Sequence, residues 1–411
     1  MKNSFFERFI SRGTLVLHHA DGAEQRYGSG EPVAHVHLRT TKVLRRLLAD
    51  PEMAFGEAYM DGDWWPGEGG LQAVFRLYFA NENNLQSNRL MDLARRAFHS
   101  VREMNTRMRA ERNVQHHYDI DNELFQRFLD PEMQYSCAYF EHEGMSLDEA
   151  QRAKLAHIGR KLLLEPGQKV LDIGCGWGGM ALFLAREYDV DVVGLTLSND
   201  QYDHACQRAE TLGLSHRVTF LKEDYREHQG AYDAIVSVGM FEHVGRPQYQ
   251  TFFDQVARLL KPDGRSLIHF IARNGVPPKD SRTWIQKYIF PGGYIPSLSD
   301  FAPCIEKTGM SLSDLEVWRL HYARTLAAWN VRFQAERDVF RERLGERFCR
   351  MWEFYLLGCE AIFRYGQLVV YQVQLAHRND AVPVTRDYLY AEQEPEPAVA
   401  RARQSSVSAA G

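Results

Sequence analysis

The spacing of apolar positions changes character along this chain. Two early runs, 14–17 and 33–38, carry the short apolar pattern of strands and are joined by a loop rich in Gly, Asp and Ser. Residues 41–48 predict a helix. Between 87 and 112, Leu90, Ala94, Phe98, Val101, Met104 and Met108 recur at helical spacing and predict one long helix with a single apolar stripe. Ser146 followed by Glu149 is a capping-box signature for a helix reaching about residue 164. Beyond it, strands at 170–173, 191–195, 218–221, 232–238 and 266–271 are interleaved with helices at 180–188, 199–212 and 248–260. That alternation predicts an α/β fold with a doubly wound, Rossmann-like parallel sheet. Helical stretches at 322–333 and 335–363 and a last strand at 368–375 follow. The expected organisation is an N-terminal α+β accessory domain (1–86), a helical linker (87–114), a larger ligand-binding domain (115–390) and a disordered Glu-, Pro-, Ala- and Ser-rich tail (391–411).

Residues 169–179, KVLDIGCGWGG, are the most informative stretch. A short buried strand ends at Asp172 and Ile173. Gly174, Gly176, Gly178 and Gly179 then form a turn into a helix. Glycines let backbone approach a ligand closely, and a helix N-terminus offers unpaired N–H groups. Gly174, Gly176 and Gly179 satisfy G-x-G-x-x-G, which alone is compatible with a dinucleotide. A dinucleotide site also wants an acid at the tip of the second strand. Here that strand runs into Thr196-Leu197-Ser198, and acids appear only after the third, in Glu223-Asp224-Tyr225. This arrangement resembles the class I S-adenosylmethionine methyltransferases.

Bulk properties narrow the picture. The chain has 411 residues, 45% apolar and 25% charged, with a net charge of −5, which implies no general nucleic-acid role. Six cysteines (137, 175, 206, 304, 349, 359) include no C-x-x-C pair, as expected in a reducing, cytoplasmic setting. No apolar run approaches the ~20 residues of a spanning helix. Seven arginines accompany the 87–112 stripe. They fit either an anionic lipid surface or a solvated face of a packed linker.

Several single residues carry open readings. His35 and His37 alternate on one strand and read as ordinary strand polars, and no metal site is expected. Residues 56–65, GEAYMDGDWW, read as a domain-interface turn. Cys137, in an apolar-aromatic loop, has no base nearby in sequence, which favours a backbone or packing role. Ser198 with Gln201 forms a second capping-box pattern, so Gln201 serves either the helix or a ligand. Glu242 and His243 follow the fourth strand, where loops line a ligand crevice. His269 and Ile271 share a face of the fifth strand. His269 is either a core histidine or the partner of a carboxylate on the adjacent loop. KYIFPGGYIPSL, at 287–298, reads as an apolar, hinged cover for an apolar substrate.

Together these segments resemble the cyclopropane-fatty-acyl-phospholipid synthase and mycolic-acid cyclopropane synthase family. The resemblance is carried by HHYDIDNELFQRFLDPEMQYSCAYF, SLDEAQRAKL, VLDIGCGWGG, GLTLSNDQ, EDYR, VSVGMFEHVG and KYIFPGGYIPSL, and covers roughly 115–376. GEAYMDGDW resembles the extra N-terminal domain of the phospholipid-acting branch. The resemblance implies a methyltransferase that adds the methyl carbon of S-adenosylmethionine to a cis double bond, closing a cyclopropane with bicarbonate as base. It implies bicarbonate contacts at Glu242, His269, Tyr322 and the backbone of Cys137 and Ile271. It implies S-adenosylmethionine contacts at Tyr135, Ser136, Asp172, Gly174, Gly176, Thr196, Leu197, Gln201, Asp224 and Tyr225. Cys359 matches a cysteine long suspected in the family, yet no step requires a thiolate and it reads as helix core. The implied partner is the acyl chain of membrane phospholipid, met peripherally at the inner membrane face. A homodimer stays open. A methylene- or methyl-branching relative, or a non-catalytic lipid-binding one, remains the alternative.

Overall fold

The computed structural model describes residues 4–84, 122–275 and 283–390. The expected 87–114 helix and the 391–411 tail lie outside them.

The first part of the chain builds a four-stranded sheet from β1 (Gly13–His18), β2 (Glu24–Ser29), β3 (Val33–Leu38) and β4 (Trp64–Pro66), in the order β2-β1-β3-β4. The β3 pattern of alternating buried residues, Ala34, Val36 and Leu38, is what a half-buried strand requires. Its other face carries His35 and His37. His18 Nε2 lies 2.9 Å from His35 Nδ1, and the His18 and His37 rings stack with centroids 4.4 Å apart. Helices α1 (Ser4–Phe9), α2 (Lys42–Ala49), α3 (Pro51–Met60) and α4 (Gly70–Asn81) accompany this sheet. Residues 56–65 are thus not a turn. They end α3, bend at 61–63 and enter β4, because Pro51 at N1 and the Asp50 cap start a helix that the acidic stretch continues.

The second part contains α5 (Asn122–Phe128), α6 (Leu147–Leu162), β5 (Lys169–Ile173), α7 (Gly179–Tyr188), β6 (Asp191–Thr196), α8 (Asn199–Thr211), β7 (Val218–Lys222), β8 (Tyr232–Val238), α9 (Tyr249–Leu259) and β9 (Leu260–Arg273). After them come α10 (Trp284–Tyr288), α11 (Leu298–Thr308), β10 (Ser311–Trp318), α12 (His321–Ala335), α13 (Arg337–Leu344), α14 (Glu346–Tyr365) and β11 (Leu368–Ala376). The sheet order is β10-β11-β9-β8-β5-β6-β7, the Rossmann-like arrangement of methyltransferases. The pairs from β7 across to β9 are parallel; β11 and β10 add antiparallel edges, an ending that the alternation upstream did not announce. β11 is buried at every position, and polar β10 was missed in the sequence because its residues are mostly half-buried. The expected helix 335–363 is broken at Gly345, whose φ of +84° marks the joint between α13 and α14.

Helices α3 and α4 pack on α14, joining the two parts. Tyr59 donates to Glu353 at 2.8 Å and Arg347 pairs with Asp61 at 3.1 Å. Gly56 lies so close to the Trp284 indole that a Cβ there would meet its Nε1 at 2.5 Å. Glu57 accepts from Lys287 at 2.6 Å and from Tyr288 at 2.8 Å. The N-terminal part therefore grips the segment that leads into the 287–298 loop.

Two adjoining cavities form the candidate active site

The C-terminal tips of β5, β6, β7 and β8 surround a first cavity of ≈ 150 Å³. Its floor is the glycine turn. Gly176 has φ +56°, and a Cβ built on it meets nothing within 4 Å, so the open space over this residue is the cavity itself. Gly179 is glycine for another reason. A Cβ there would stand 2.1 Å from the Glu132 carbonyl oxygen, so its smallness lets the 130–138 loop seat on the start of α7. Every residue expected at the cofactor lines this cavity: Tyr135 and Ser136 from the loop, Asp172, Gly174 and Gly176 from the β5 turn, Thr196, Leu197 and Gln201 beyond β6, and Asp224 and Tyr225 beyond β7.

Local bonds refine those roles. Gln201 Oε1 accepts from Thr196 Oγ1 at 2.9 Å, while Ser198 Oγ accepts from Gln201 N at 3.3 Å. The Ser198–Gln201 pair is thus half a capping box: Ser198 N turns to Thr196 Oγ1 instead, because the Gln201 side chain faces the cavity wall. The Asp224 carboxylate is forked by Arg226, at 2.9 Å from Nε and 2.5 Å from a terminal nitrogen. Burial pushes the Asp172 carboxyl up to about 7, which the Lys154 ammonium partly offsets.

The second cavity, of ≈ 240 Å³, lies beside the first and shares Tyr135, Ser136, Gly239 and His243 with it. Cys137, Glu242, His269, Ile271, Tyr322 and Cys359 all line it. Phe290, Tyr294 and Ile295 of the 287–298 loop form its apolar cover. Glu242 sits in a one-turn 3-10 helix after β8 and is nearly buried. Its Oε1 accepts from the Ile271 N–H at 2.6 Å, while Oε2 is buried without a partner. Burial raises its carboxyl to about 7, although the Ile271 N–H pulls the other way. His269 is not the hydrogen-bond partner of Glu242. The Gln372 amide lies 3.2 Å from His269 Nδ1, and the carboxylate accepts from the Ile271 N–H of β9 at 2.6 Å instead. Burial and the Lys154 and Lys161 ammonium groups hold the imidazole well below its ordinary pKa, hence neutral. With the Gln372 amide donating to Nδ1, the ring keeps its proton on Nε2.

The two cysteines behave as thiols. Cys137 is fully buried, donates to the Ala138 carbonyl and has its pKa raised by burial. Burial pushes Cys359 up to about 12, and this residue is half-buried at the cavity edge rather than sealed in helix core. Tyr322 is buried, its ring 4.8 Å from Phe363, with its hydroxyl kept protonated by burial.

Sequence reading missed Lys154. It stands within SLDEAQRAKL and looks like a surface cation, yet it is fully buried. Its Nζ donates to Gln134 Oε1 at 2.7 Å and Ser136 Oγ at 2.8 Å, and Gln151 Nε2 holds the carbonyls of the same two residues. Together they pin the loop that forms the wall between the cavities. The one available signal was the i, i+3 spacing of Gln151 and Lys154 on the helix face that also carries the apolar Leu155 and Ile158.

Comparison with known proteins agrees with this geometry. Residues 105–373 match the family described as mycolic acid cyclopropane synthetase, and residues 2–89 match a domain of unknown function. The chain is 40% identical to the cyclopropane-fatty-acyl-phospholipid synthase of Escherichia coli K12, over 84% of this chain and 88% of that protein. The cyclopropane synthase MmaA2 of Mycobacterium tuberculosis superposes with a TM-score of 0.61 at 36% identity, covering 65% of this chain and 98% of its own. The mycolic acid cyclopropane synthase CmaA1, solved with SAH and CTAB, gives the same TM-score and identity over 64% and 97%. A fold of methyltransferase type, a glycine cradle and matches over most of the chain converge: this protein belongs to the mycolic acid cyclopropane synthetase family, the S-adenosylmethionine-dependent enzymes that include the cyclopropane-fatty-acyl-phospholipid synthases.

Proposed function

We propose that this enzyme is a cyclopropane-fatty-acyl-phospholipid synthase that works on cis-unsaturated acyl chains at a membrane surface, with bicarbonate as the base. The observation that carries the reading is the lone Oε2 of Glu242: a buried, partnerless oxygen in an apolar cavity that shares a wall with the glycine cradle. When bound, S-adenosylmethionine supplies an electrophilic methyl group and bicarbonate takes up the proton that ring closure releases.

The protein's own groups fit those tasks. Gly174 and Gly176 offer bare backbone to the methyl donor, and Thr196, Gln201 and Asp224 offer polar edges. An alkene is a weak nucleophile, so the apolar cover at Phe290, Tyr294 and Ile295 serves to align it and exclude water. The faces of Tyr322 and Phe290 suit a cationic centre. Glu242 holds itself with Oε1 on Ile271 and turns Oε2 to a bound anion; a carboxyl with pKa near 7 can share a proton with that anion where two bare charges would repel. His269, neutral, donates from Nε2, and the Cys137 backbone and Tyr322 hydroxyl complete the set. The arginines of 87–112 are the sequence feature that would hold the enzyme reversibly on anionic lipid. Among the described residues no helix is long and apolar enough to cross a membrane.

Mass spectrometry of lipids from cells expressing the protein tests this. The expected product carries one extra CH₂ in its acyl chains and resists oxidative cleavage at the former double bond. Products that gain CH₂ but still cleave would identify a branching enzyme, and unchanged lipids would reject the assignment.

A further inference from the structure

Glu242 is not the cavity's one charged residue. β9 sends His269, Ile271 and Arg273 to one face, and all three line the second cavity. Arg273 is the last residue of the strand. Apart from histidines it is the single basic residue among the described residues lining a cavity that is otherwise largely apolar. Its Nε is buried and has no hydrogen-bond partner. No ion pair satisfies its guanidinium among the described residues. Glu82, at the end of α4, acts on it electrostatically without closing on it, and burial lowers its pKa against that help. A half-buried guanidinium left this way costs folding free energy that a ligand anion would offset.

We propose that Arg273 is the anion anchor of the acyl cavity and receives the phosphodiester of a glycerophospholipid whose acyl chain lies beneath the 287–298 loop. This rests on the synthase reading and names the end of the substrate that reading leaves undefined. The planar fork of arginine matches phosphate oxygens in pairs.

The test uses the full chain with Arg273→Gln, Arg273→Lys and Glu82→Gln. Turnover is measured on vesicles of cis-monounsaturated phosphatidylglycerol, and on the matching free fatty acid and methyl ester in neutral micelles. Calorimetry with a short-chain phosphatidylglycerol below its micelle concentration reads binding alone. Arg273→Gln should raise KM on vesicles and weaken short-chain binding at least tenfold, the loss of one charge-assisted contact, with kcat within about threefold and the methyl ester unaffected. Arg273→Lys should recover part of the loss, and Glu82→Gln should leave binding equal or tighter. Equal binding by wild type and Arg273→Gln overturns the anchor. So does a loss confined to the free acid, which would make the anion a carboxylate. A matching loss in Glu82→Gln also overturns it, because Arg273 would then serve only that carboxylate. Absence of turnover by the wild type would sink the synthase reading, while the binding arm still decides the anchor.

Discussion

Glu242→Gln should make the protein more stable and nearly inactive, and both effects can be sized. The Glu242 carboxyl, ordinarily at 4.5, is raised by burial to about 7. Between those values the folded protein keeps a proton that the unfolded chain has lost. Stability therefore falls as pH rises through this window and levels off above about 7. At 1.4 kcal/mol per unit the full penalty is about 3 kcal/mol. Glutamine can keep the carbonyl on the Ile271 N–H and place its NH₂ where Oε2 stood. That amide, left unpaired, returns about 1 kcal/mol. The variant should thus gain about 2 kcal/mol over wild type at pH 8 and fall about 1 kcal/mol below it near pH 4.5, in urea unfolding done in decarbonated buffer. S-adenosylmethionine affinity should stay within a few-fold, because Glu242 lines the second cavity and not the first. Turnover should fall by about 10²–10⁴, the range for losing a positioned acid–base group. Added bicarbonate should speed the wild type and barely change the variant. Equal stability of the two proteins at pH 8 would refute the burial argument. Near-full turnover with an unaltered bicarbonate response would refute the role of Oε2.

Three further outcomes follow from the site. Gly176→Val should abolish S-adenosylmethionine binding in calorimetry while circular dichroism still shows a folded protein with a lower thermal midpoint, since its side chain would fill the open space of the cradle and a β-branched residue is strained at φ +56°; unchanged affinity would mean the cradle is wrongly assigned. Lys154→Met strands Gln134 and Ser136 and leaves Asp172 without its nearby cation, so the thermal midpoint should drop by the equivalent of roughly 3–5 kcal/mol and S-adenosylmethionine affinity by about tenfold; a stable variant with full affinity would show that the loop is held otherwise. Cys359→Ser should keep turnover within a few-fold across neutral pH, because a thiol near 12 is not ionised there; a loss of 10³ or more would restore a catalytic thiol.

What was legible in the sequence shares one property: it is local. The strand, glycine turn and helix at 169–188 declare themselves through period and punctuation, and residues after strand tips fall at the crevice by topology alone. That logic brought Thr196, Asp224 and Glu242 to the two cavities. Contacts between distant segments were not legible. Gln372 meets His269 because β11 runs antiparallel beside β9, a pairing set by register across 103 residues. Lys154, His157 and Lys161 are polar residues of one helix that went unremarked in the sequence, yet they lie buried, and Glu316 of β10 takes both His157 and Lys161. Polarity marked them as exposed; burial with a partner is the exception that pattern cannot report.

The wall formed by Tyr135, Ser136, Gly239 and His243 has a kinetic consequence. It has two faces but one position, and Lys154 and Gln151 fix its Ser136 side from behind. Whatever ordering the wall gains from one ligand is gained for both, so each ligand must change the other's affinity by the same factor. Substitutions on this wall will then not sort into donor mutants and acceptor mutants. The two Michaelis constants should rise together, and a selection that relaxes the enzyme for a bulkier chain will loosen its hold on the methyl donor unless it acts on the 287–298 cover instead.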